Sequence, residues 1–397
     1  MVEIQCPATA QRDEQTPLVV TDLPAGTRTT LIARTDGFYG GASSRQVFDS
    51  GPERTVDTGS DIPIDGDYEG VAPMGWLWSM TPERDDQTSS AIHDEPVTIE
   101  LSVQVEGETH ATATTIRQPG GAGVHLQSIE SSTVAGEFAY PSSGDPCPGV
   151  LVLHGSDGKP MTGVARLLAS HGFAALALRW LGDGAPTDVP TDVPLSYIDD
   201  AAAWLKGHEV VDSDSLGIWG ISKGGELAFA AAAYGDWVDA VVAVSPSGLI
   251  MPGERPGSAT IAIDGESLPS LSIPDGPPPE NGLEMTHDLL DASDNETLEA
   301  ATIPVDDTDA PLLVLAGRED TVWDAVALTD ETMDRLASAD TSFPANRVVY
   351  DDAGHSLRPP YVPHTVGTAG GTTVGKATAA VDAWDRTLST LGQLSNR

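Results

Sequence analysis

A serine flanked by two glycines lies between an apolar run and an alanine-rich run. The five residues Gly220-Ile-Ser-Lys-Gly224 form a G-x-S-x-G motif. Leu216–Trp219 before it is typical of a buried strand, and Glu226–Ala233 after it is typical of a helix. A serine at such a junction lies on a sharp turn with its hydroxyl exposed, and the helix N-terminus can stabilise an oxyanion. We therefore predict that Ser222 is a nucleophile, with an ordinary serine-capped turn as the alternative.

A serine hydroxyl needs an adjacent base, and in this arrangement an acid and a histidine follow the serine in that order. Asp320 comes 98 residues after Ser222 and ends the Gly-x-x-Asp that follows the apolar run Leu312–Ala316. His355 comes 35 residues later, after a second apolar run and a glycine that permits a tight turn. The order predicts Asp320 as the orienting acid and His355 as the base. Glu319 and Asp324 are competing candidates for the acid. A helix N-cap or plain surface charge is the alternative role for Asp320.

A second turn offers a place for the oxyanion. His154-Gly-Ser-Asp-Gly158 follows a strand-like run and resembles the H-G-x-x-G turn that lends one backbone N–H to an oxyanion hole. We predict the N–H groups of Ser156 and Lys223 as the two donors. His154 is expected to orient its turn, and the Lys223 side chain is expected to play no part. No metal-ligand spacing or cofactor fingerprint is present, so we expect neither a metal nor a cofactor.

The pattern of the sequence changes near Gly123. Before it, alternating runs separated by Gly-, Asp- and Pro-rich turns predict a small β-sandwich, with strands at Pro17–Leu23, Arg28–Ala33, Val97–Val105 and Ala111–Arg117. After it, strand and helix signals alternate, which predicts an α/β fold with a mainly parallel, doubly wound sheet. We thus predict a sandwich domain over 1–123 and a catalytic domain over 124–397. The Pro-, Gly- and Asp-rich stretch 247–302 is predicted to be a cap-like insertion, with a plain surface insertion as the alternative.

The charge of the chain is strongly negative. Among 397 residues, 60 are acidic and 20 are Lys or Arg, which gives a net charge of −40. The acids are spread along the whole chain, which resembles the proteins of salt-accumulating halophiles and argues against nucleic acid or an anionic membrane as a partner. No secretory signal or membrane-spanning run is visible, so a cytoplasmic location is expected. Cys6 and Cys147 are then expected to be free thiols.

Four segments resemble the acyl-CoA thioesterase / bile acid-CoA:amino acid N-acyltransferase family. They are Val71–Trp78, Gly220–Leu227, Gly354–Pro363 and Val381–Trp384. The second is far more specific than G-x-S-x-G alone, and the third contains an unusual Pro-Pro-Tyr-x-Pro. The resemblance implies an immunoglobulin-like N-terminal domain followed by an α/β-hydrolase domain, with Ser222, Asp320 and His355 as the triad.

The residue at position 222 bears on the choice of reaction. In the family the conjugating acyltransferases resemble this pattern with cysteine and the hydrolases with serine, so Ser222 implies transfer of the acyl group to water. The expected substrate is a small-molecule acyl-CoA thioester. The alternatives are a carboxylesterase or dienelactone-type hydrolase acting on oxygen esters, an acyl-CoA:amino acid N-acyltransferase, and an inactive binding protein. The turn at Gly155-Ser-Asp-Gly158 departs from the glycine-rich turn of the family. Oligomeric state and acyl-chain preference stay open.

Overall fold

The computed structural model describes residues 1–83, 95–121, 123–131, 133–274, 279, 281–339, 343–357, 359–365 and 369–396. They form two compact units. The first contains residues 1–121 and the described residues of 358–368 and 376–381, and the second contains the remainder. The predicted boundary after Gly123 thus falls two residues from the break at 121. The two C-terminal segments join the first unit because, for example, the Tyr39 hydroxyl donates to Pro363 O and Ala377 packs into that unit's core.

The first unit is made of two β-sheets that share one core. One sheet has the order β1-β3-β6, and the other has the order β2-β10-β9-β4-β5-β7 with β8 paired to β5. Inward positions alternate with outward ones along β9, as expected of a sheet with one covered face. Val20, Leu31 and Leu101, from both sheets, are buried in a common cluster. This arrangement confirms the predicted sandwich. Its elements are β1 Glu3–Gln5, β2 Thr9–Gln11, β3 Val19–Thr21, β4 Arg28–Thr35, β5 Ala42–Asp49, β6 Val56–Asp57, β7 Asp65–Gly66, α1 Gly75–Trp78, β8 Thr81–Pro82, β9 Val97–Val105 and β10 Glu108–Gln118.

The second unit is built on one eight-stranded sheet. Its strand order is β11-β12-β14-β13-β16-β17-β20-β21, antiparallel for β11-β12-β14 and parallel from β14 to β21. The inner strands β14, β17 and β20 are buried along their whole length, as expected of a parallel sheet covered on both faces. The α/β class predicted from the alternation is confirmed. The strands are β11 Val124–Glu130, β12 Ala135–Pro141, β13 Cys147–Leu153, β14 Ala174–Leu178, β15 Val193–Pro194, β16 Val211–Ile221, β17 Ala240–Val244, β18 Ile261–Ile263, β19 Glu266–Ser267, β20 Leu312–Gly317 and β21 Ala345–Tyr350.

Helices connect these strands. Their described bounds are α2 Thr162–Ser170, α3 Leu195–Lys206, α4 Lys223–Tyr234, α5 Gly282–Ala292, α6 Asn295–Ala301, α7 Ala327–Ser338 and α8 Thr373–Leu391, with 3-10 turns at Val305–Asp307 and Gly392–Asn396. Because α4 follows β16 after a single residue, Ser222, the strand and the helix meet at a sharp corner. No helix in the described part of the chain is long and apolar enough to cross a membrane.

The predicted insertion over 247–302 contains regular structure of its own. It begins with β18 and β19, which form a small sheet with β15, and ends with α5 and α6. Both helices start at side-chain caps, Asn281 for α5 and Asp294 for α6. The bridge between Leu249 and Thr302 closes the insertion at its base. Part of the proline run within it, residues 275–278 and 280, lies outside the described residues.

Candidate active site

Ser222 lies on the corner between β16 and α4. Its backbone has φ 57° and ψ −123°, a region that costs a residue with a side chain about 1–3 kcal/mol. The corner is held because the Ser222 N–H donates to Val244 O at the end of β17, at 2.8 Å. The Ser222 carbonyl accepts from the N–H groups of Gly225 and Glu226 in the first turn of α4. The structure therefore places Ser222 at the strained strand–helix turn that the motif predicts.

The two glycines of the motif are explained by close approaches of backbone. A Cβ on Gly220 would lie 2.1 Å from Gly224 O, across the corner itself. A Cβ on Gly224 would lie 2.4 Å from His154 O and 2.5 Å from Leu153 O, at the end of β13. Real Cβ atoms essentially never come within 3.0 Å of another heavy atom. These positions therefore accept only glycine if the helix is to start this close to β13.

Asp320 and His355 are joined directly. The Asp320 Oδ2 atom lies 2.7 Å from His355 Nδ1, and both residues are buried. Asp320 Oδ1 accepts from the backbone N–H groups of Val322 and Trp323 at 2.8 and 3.2 Å. The carboxylate is thus fixed by its own turn on one oxygen and presents the other to the imidazole. The competing acid Asp324 is engaged elsewhere, because its carboxylate accepts from the Ala327 N–H at the start of α7 at 3.0 Å. The nearby Arg318 pairs with Asp351.

The end of β17 connects this pair to the serine. Ser222 N donates to Val244 O, and the next residue, Ser245, donates its hydroxyl to His355 O at 2.8 Å. Within the described residues, no direct hydrogen bond joins the Ser222 hydroxyl to the His355 imidazole. Catalytic hydrogen bonds are often long in free enzymes and tighten when substrate binds. The structure thus brings the three predicted residues to one edge of the sheet, with Ser245 between them.

The turn at His154–Gly158 lies against the serine. A Cβ on Gly155 would be 3.4 Å from Ser222 Cβ and 3.9 Å from its Oγ. His154 O accepts from Trp180 Nε1 at 2.9 Å, and the two rings stack with centroids 4.9 Å apart. His154 Nδ1 contacts Gly155 O at 2.6 Å, and burial lowers the pKa of this histidine. The His154 ring therefore braces the turn that carries Ser156, the residue whose N–H is predicted as one oxyanion donor.

Lys223 carries the other predicted donor at the start of α4. Its N–H is among the first in the helix, and such groups have no partner within a helix. The Lys223 side chain, which was expected to play no part, makes contacts of its own. The ammonium makes an ion pair with Glu226 at 3.0 Å, and Glu226 is fully buried. Sequence reasoning also missed Thr260, Ser245 and Trp323. The ion pair could have been predicted from a lysine and a glutamate one turn apart at the start of an otherwise alanine-rich helix.

No cluster of three or more His, Cys, Asp or Glu side chains in the described ranges has a geometry that could hold a metal ion. The chemistry available at the edge of the sheet is that of a nucleophile, a base with its orienting carboxylate, and backbone N–H groups. This is the set that acyl transfer needs.

Two family models match the chain. The model described as "BAAT / Acyl-CoA thioester hydrolase C terminal" matches residues 193–395, and the model "Acyl-CoA thioester hydrolase/BAAT N-terminal region" matches residues 13–131. Acyl-coenzyme A thioesterase 2, mitochondrial, of Mus musculus is 31% identical over 354 residues, covering 81% of this chain and 73% of the relative. Acyl-coenzyme A thioesterase 1 of Rattus norvegicus is 30% identical over 352 residues, covering 81% and 79%.

Among solved structures, a putative dienelactone hydrolase from Klebsiella pneumoniae is 21% identical, covers 68% of this chain and 98% of its own, and has a TM-score of 0.43. The two family models and the two acyl-CoA thioesterases cover both units of the chain. They confirm the resemblance drawn from the sequence motifs and the prediction of a hydrolase. The chain belongs to the acyl-CoA thioester hydrolase/BAAT family.

Proposed function

We propose that the chain hydrolyses acyl-CoA thioesters to a free carboxylic acid and CoA, with Ser222 as the nucleophile. The observation that carries the proposal is the buried Asp320–His355 pair, held beside the strained serine corner by Ser245. A buried carboxylate on Nδ1 fixes the tautomer of a histidine and stabilises its protonated form. The other ring nitrogen, Nε2, is then available to act as a base.

The reaction runs in two halves. His355 takes the proton of Ser222 as the serine oxygen attacks the thioester carbonyl carbon, and the negative charge on the carbonyl oxygen is stabilised by the N–H groups of Lys223 and Ser156. The C–S bond breaks, His355 returns the proton to the sulfur, and CoA leaves as the thiol. Water then attacks the acyl-serine with His355 as base, and the carboxylic acid leaves as Ser222 regains its proton. Because a thiolate is a good leaving group, we expect the second half to limit turnover.

The proposal is tested with Ser222→Ala, assayed by thiol release from a panel of acyl-CoA thioesters of short to long chain. We expect kcat to fall by about 10⁴–10⁶, as for other triad nucleophiles. Labelling of the wild-type protein by a fluorophosphonate and loss of that label in the variant serve as the control for the site. Turnover close to the wild type in the variant would reject the proposal.

Matched oxygen esters that lack CoA, and free amino acids as acyl acceptors, separate the alternative reactions. Acyl-CoA thioesterase action predicts a higher kcat/KM on the thioester than on the ester, and free acid as the acyl product. Equal or better rates on the esters would favour a carboxylesterase, and an N-acyl amino acid detected by mass spectrometry would favour an acyltransferase.

A further inference from the structure

Four residues beside the nucleophile form a closed ring of hydrogen bonds. Lys223 Nζ donates to Glu226 Oε2 at 3.0 Å and to Thr260 Oγ1 at 2.6 Å. Thr260 Oγ1 donates in turn to Met251 O at 3.1 Å, and Met251 N donates to Glu226 Oε1 at 2.9 Å. Two members belong to the first turn of α4 and two to the insertion. We call this set, Lys223, Glu226, Met251 and Thr260, the elbow ring.

The elbow ring is removed from solvent. Glu226 and Thr260 are fully buried, and the Lys223 side chain is 13% exposed. Burial raises the pKa of Glu226 and lowers that of Lys223, and each group's charge opposes the shift of the other. A buried ion pair contributes little net stability compared with apolar side chains of the same volume. Since stability alone does not account for two charges here, a role in fixing geometry is the better explanation.

The elbow ring also reaches the catalytic pair through one side chain. The Lys223 ammonium lies 5.7 Å from the centroid of the Trp323 ring, at cation–π distance. The same indole packs edge-on against the His355 ring, with centroids 5.8 Å apart. Trp323 is itself fixed, because its Nε1 donates to Ser245 O at 3.0 Å and its backbone N–H donates to Asp320.

We propose that Lys223, Glu226 and Thr260 are positioning residues. The elbow ring ties the start of the insertion, residues 249–263, to the first turn of α4, and so sets where the Lys223 N–H and the Trp323 ring stand relative to Ser222 and His355. The effect on catalysis rests on the proposed function, whereas the tie between the insertion and α4 does not. Among the described residues, the side chains of the elbow ring make no hydrogen bond to Ser222 Oγ or to the His355 imidazole, so they act through the groups that they hold.

Two variants open the ring in different ways. Thr260→Val keeps the volume and the ion pair but removes the hydroxyl that joins Lys223 to Met251. Glu226→Gln keeps the shape but removes the carboxylate. Its single oxygen can accept from only one of Lys223 Nζ and the Met251 N–H, and its N–H₂ group must face the other donor. Arg335→Met is the matched control. It breaks a half-buried ion pair of the same unit, with Asp306 at 3.1 Å, and the hydrogen bonds of Arg335 go to Asp306 and not to the elbow ring.

Two readouts separate positioning from folding. Hydrogen exchange of the 249–263 peptide, which contains the Met251 N–H, is expected to speed up at least about tenfold in Thr260→Val and in Glu226→Gln, and not in Arg335→Met. Turnover of an acyl-CoA is divided by the number of fluorophosphonate-labelled serines, so that unfolded protein does not count. We expect kcat per labelled site to fall about tenfold in Thr260→Val and about a hundredfold in Glu226→Gln, with KM changed less than about threefold.

Unchanged exchange of 249–263 in Thr260→Val would overturn the tie, and a kcat per labelled site within twofold of the wild type would overturn the positioning role. If Glu226→Gln does not fold, Thr260→Val decides alone, since it leaves no buried charge unpaired. Failure of the proposed function has a different signature, namely turnover that survives Ser222→Ala and is equal in all variants while exchange of the peptide still rises.

Discussion

Replacing Gly224 with alanine tests how closely α4 must approach β13. The added Cβ would lie 2.4 Å from His154 O and 2.5 Å from Leu153 O, and both are backbone atoms that no side-chain rotation can move. Ordinary contact begins at 3.4 Å, so the start of α4 must withdraw from β13 by about 1 Å. This withdrawal separates the Lys223 N–H from the turn that carries Ser156. A misplacement of about 1 Å typically costs about a hundredfold in rate, and we expect kcat to fall by that factor.

The same strain lowers stability by a smaller and separable amount. Overpacking typically costs about 1–3 kcal/mol, which in a unit of this size lowers Tm by about 2–12 °C. The assay is therefore thiol release per fluorophosphonate-labelled site, at a temperature well below the Tm of the variant. Gly207→Ala is the control, because its Cβ would meet nothing nearer than 3.4 Å and it also ends a helix of the same unit. A Gly224→Ala protein with kcat within threefold of the wild type would refute the reasoning.

Three further predictions concern the acid, the oxyanion turn and the surface. Asp320→Asn keeps the shape but favours the wrong tautomer of His355, so we expect kcat to fall by about 10⁴ with little change in Tm, and a loss below tenfold would contradict the assigned role. Burial lowers the pKa of His154 below 6.5, so below that pH the unfolded chain binds more protons than the folded one. The free energy of unfolding should therefore fall on acidification from pH 6.5, and it should fall less steeply in His154→Asn. Urea titration at each pH measures this free energy. The net charge of −40 predicts that Tm rises by several degrees between about 0.1 and 2 M KCl, and a flat or falling Tm would count against halophilic adaptation.

Sequence patterns predicted the strands and helices whose hydrophobic periodicity is visible within the element itself. The predicted strand Val97–Val105 coincides with β9, because alternation and β-branched residues occur together there. Strand β5, Ala42–Asp49, was not predicted, because Ala-Ser-Ser-Arg-Gln has no clear alternation. It forms by pairing with β4 on one side and with β7 and β8 on the other. Helices α5 and α6 were not predicted either, because they lie in a Pro- and Gly-rich stretch that is typical of loops.

The motif residues of the site could be predicted from the sequence, but the residues that position them could not. Ser222, Asp320 and His355 each follow an apolar run, so their place at strand ends can be inferred without knowing the strand order. The path of the insertion brings Thr260 to Lys223 and Met251 to Glu226, and nothing in the local sequence marks either residue. The contact between Met251 and Glu226 joins residues 25 positions apart in the chain. Hydrophobic periodicity reports on neighbouring residues and does not reveal which distant residues a loop brings together.

Strand order explains why the histidine needs a support that the sequence did not reveal. The order β16-β17-β20-β21 puts the strand before Ser222 three places from the strand before His355. At a strand spacing of about 4.8 Å these two strands are about 14 Å apart, so the segment after β21 must carry His355 back across β20 toward the serine. The hydrogen bond from the Ser245 hydroxyl to His355 O fixes the returning segment at the end of β17, the neighbour of β16. Asp320, which follows β20 between them, is the acid within reach of the imidazole along this path, and so the chain order Ser–Asp–His follows from the order of the strands.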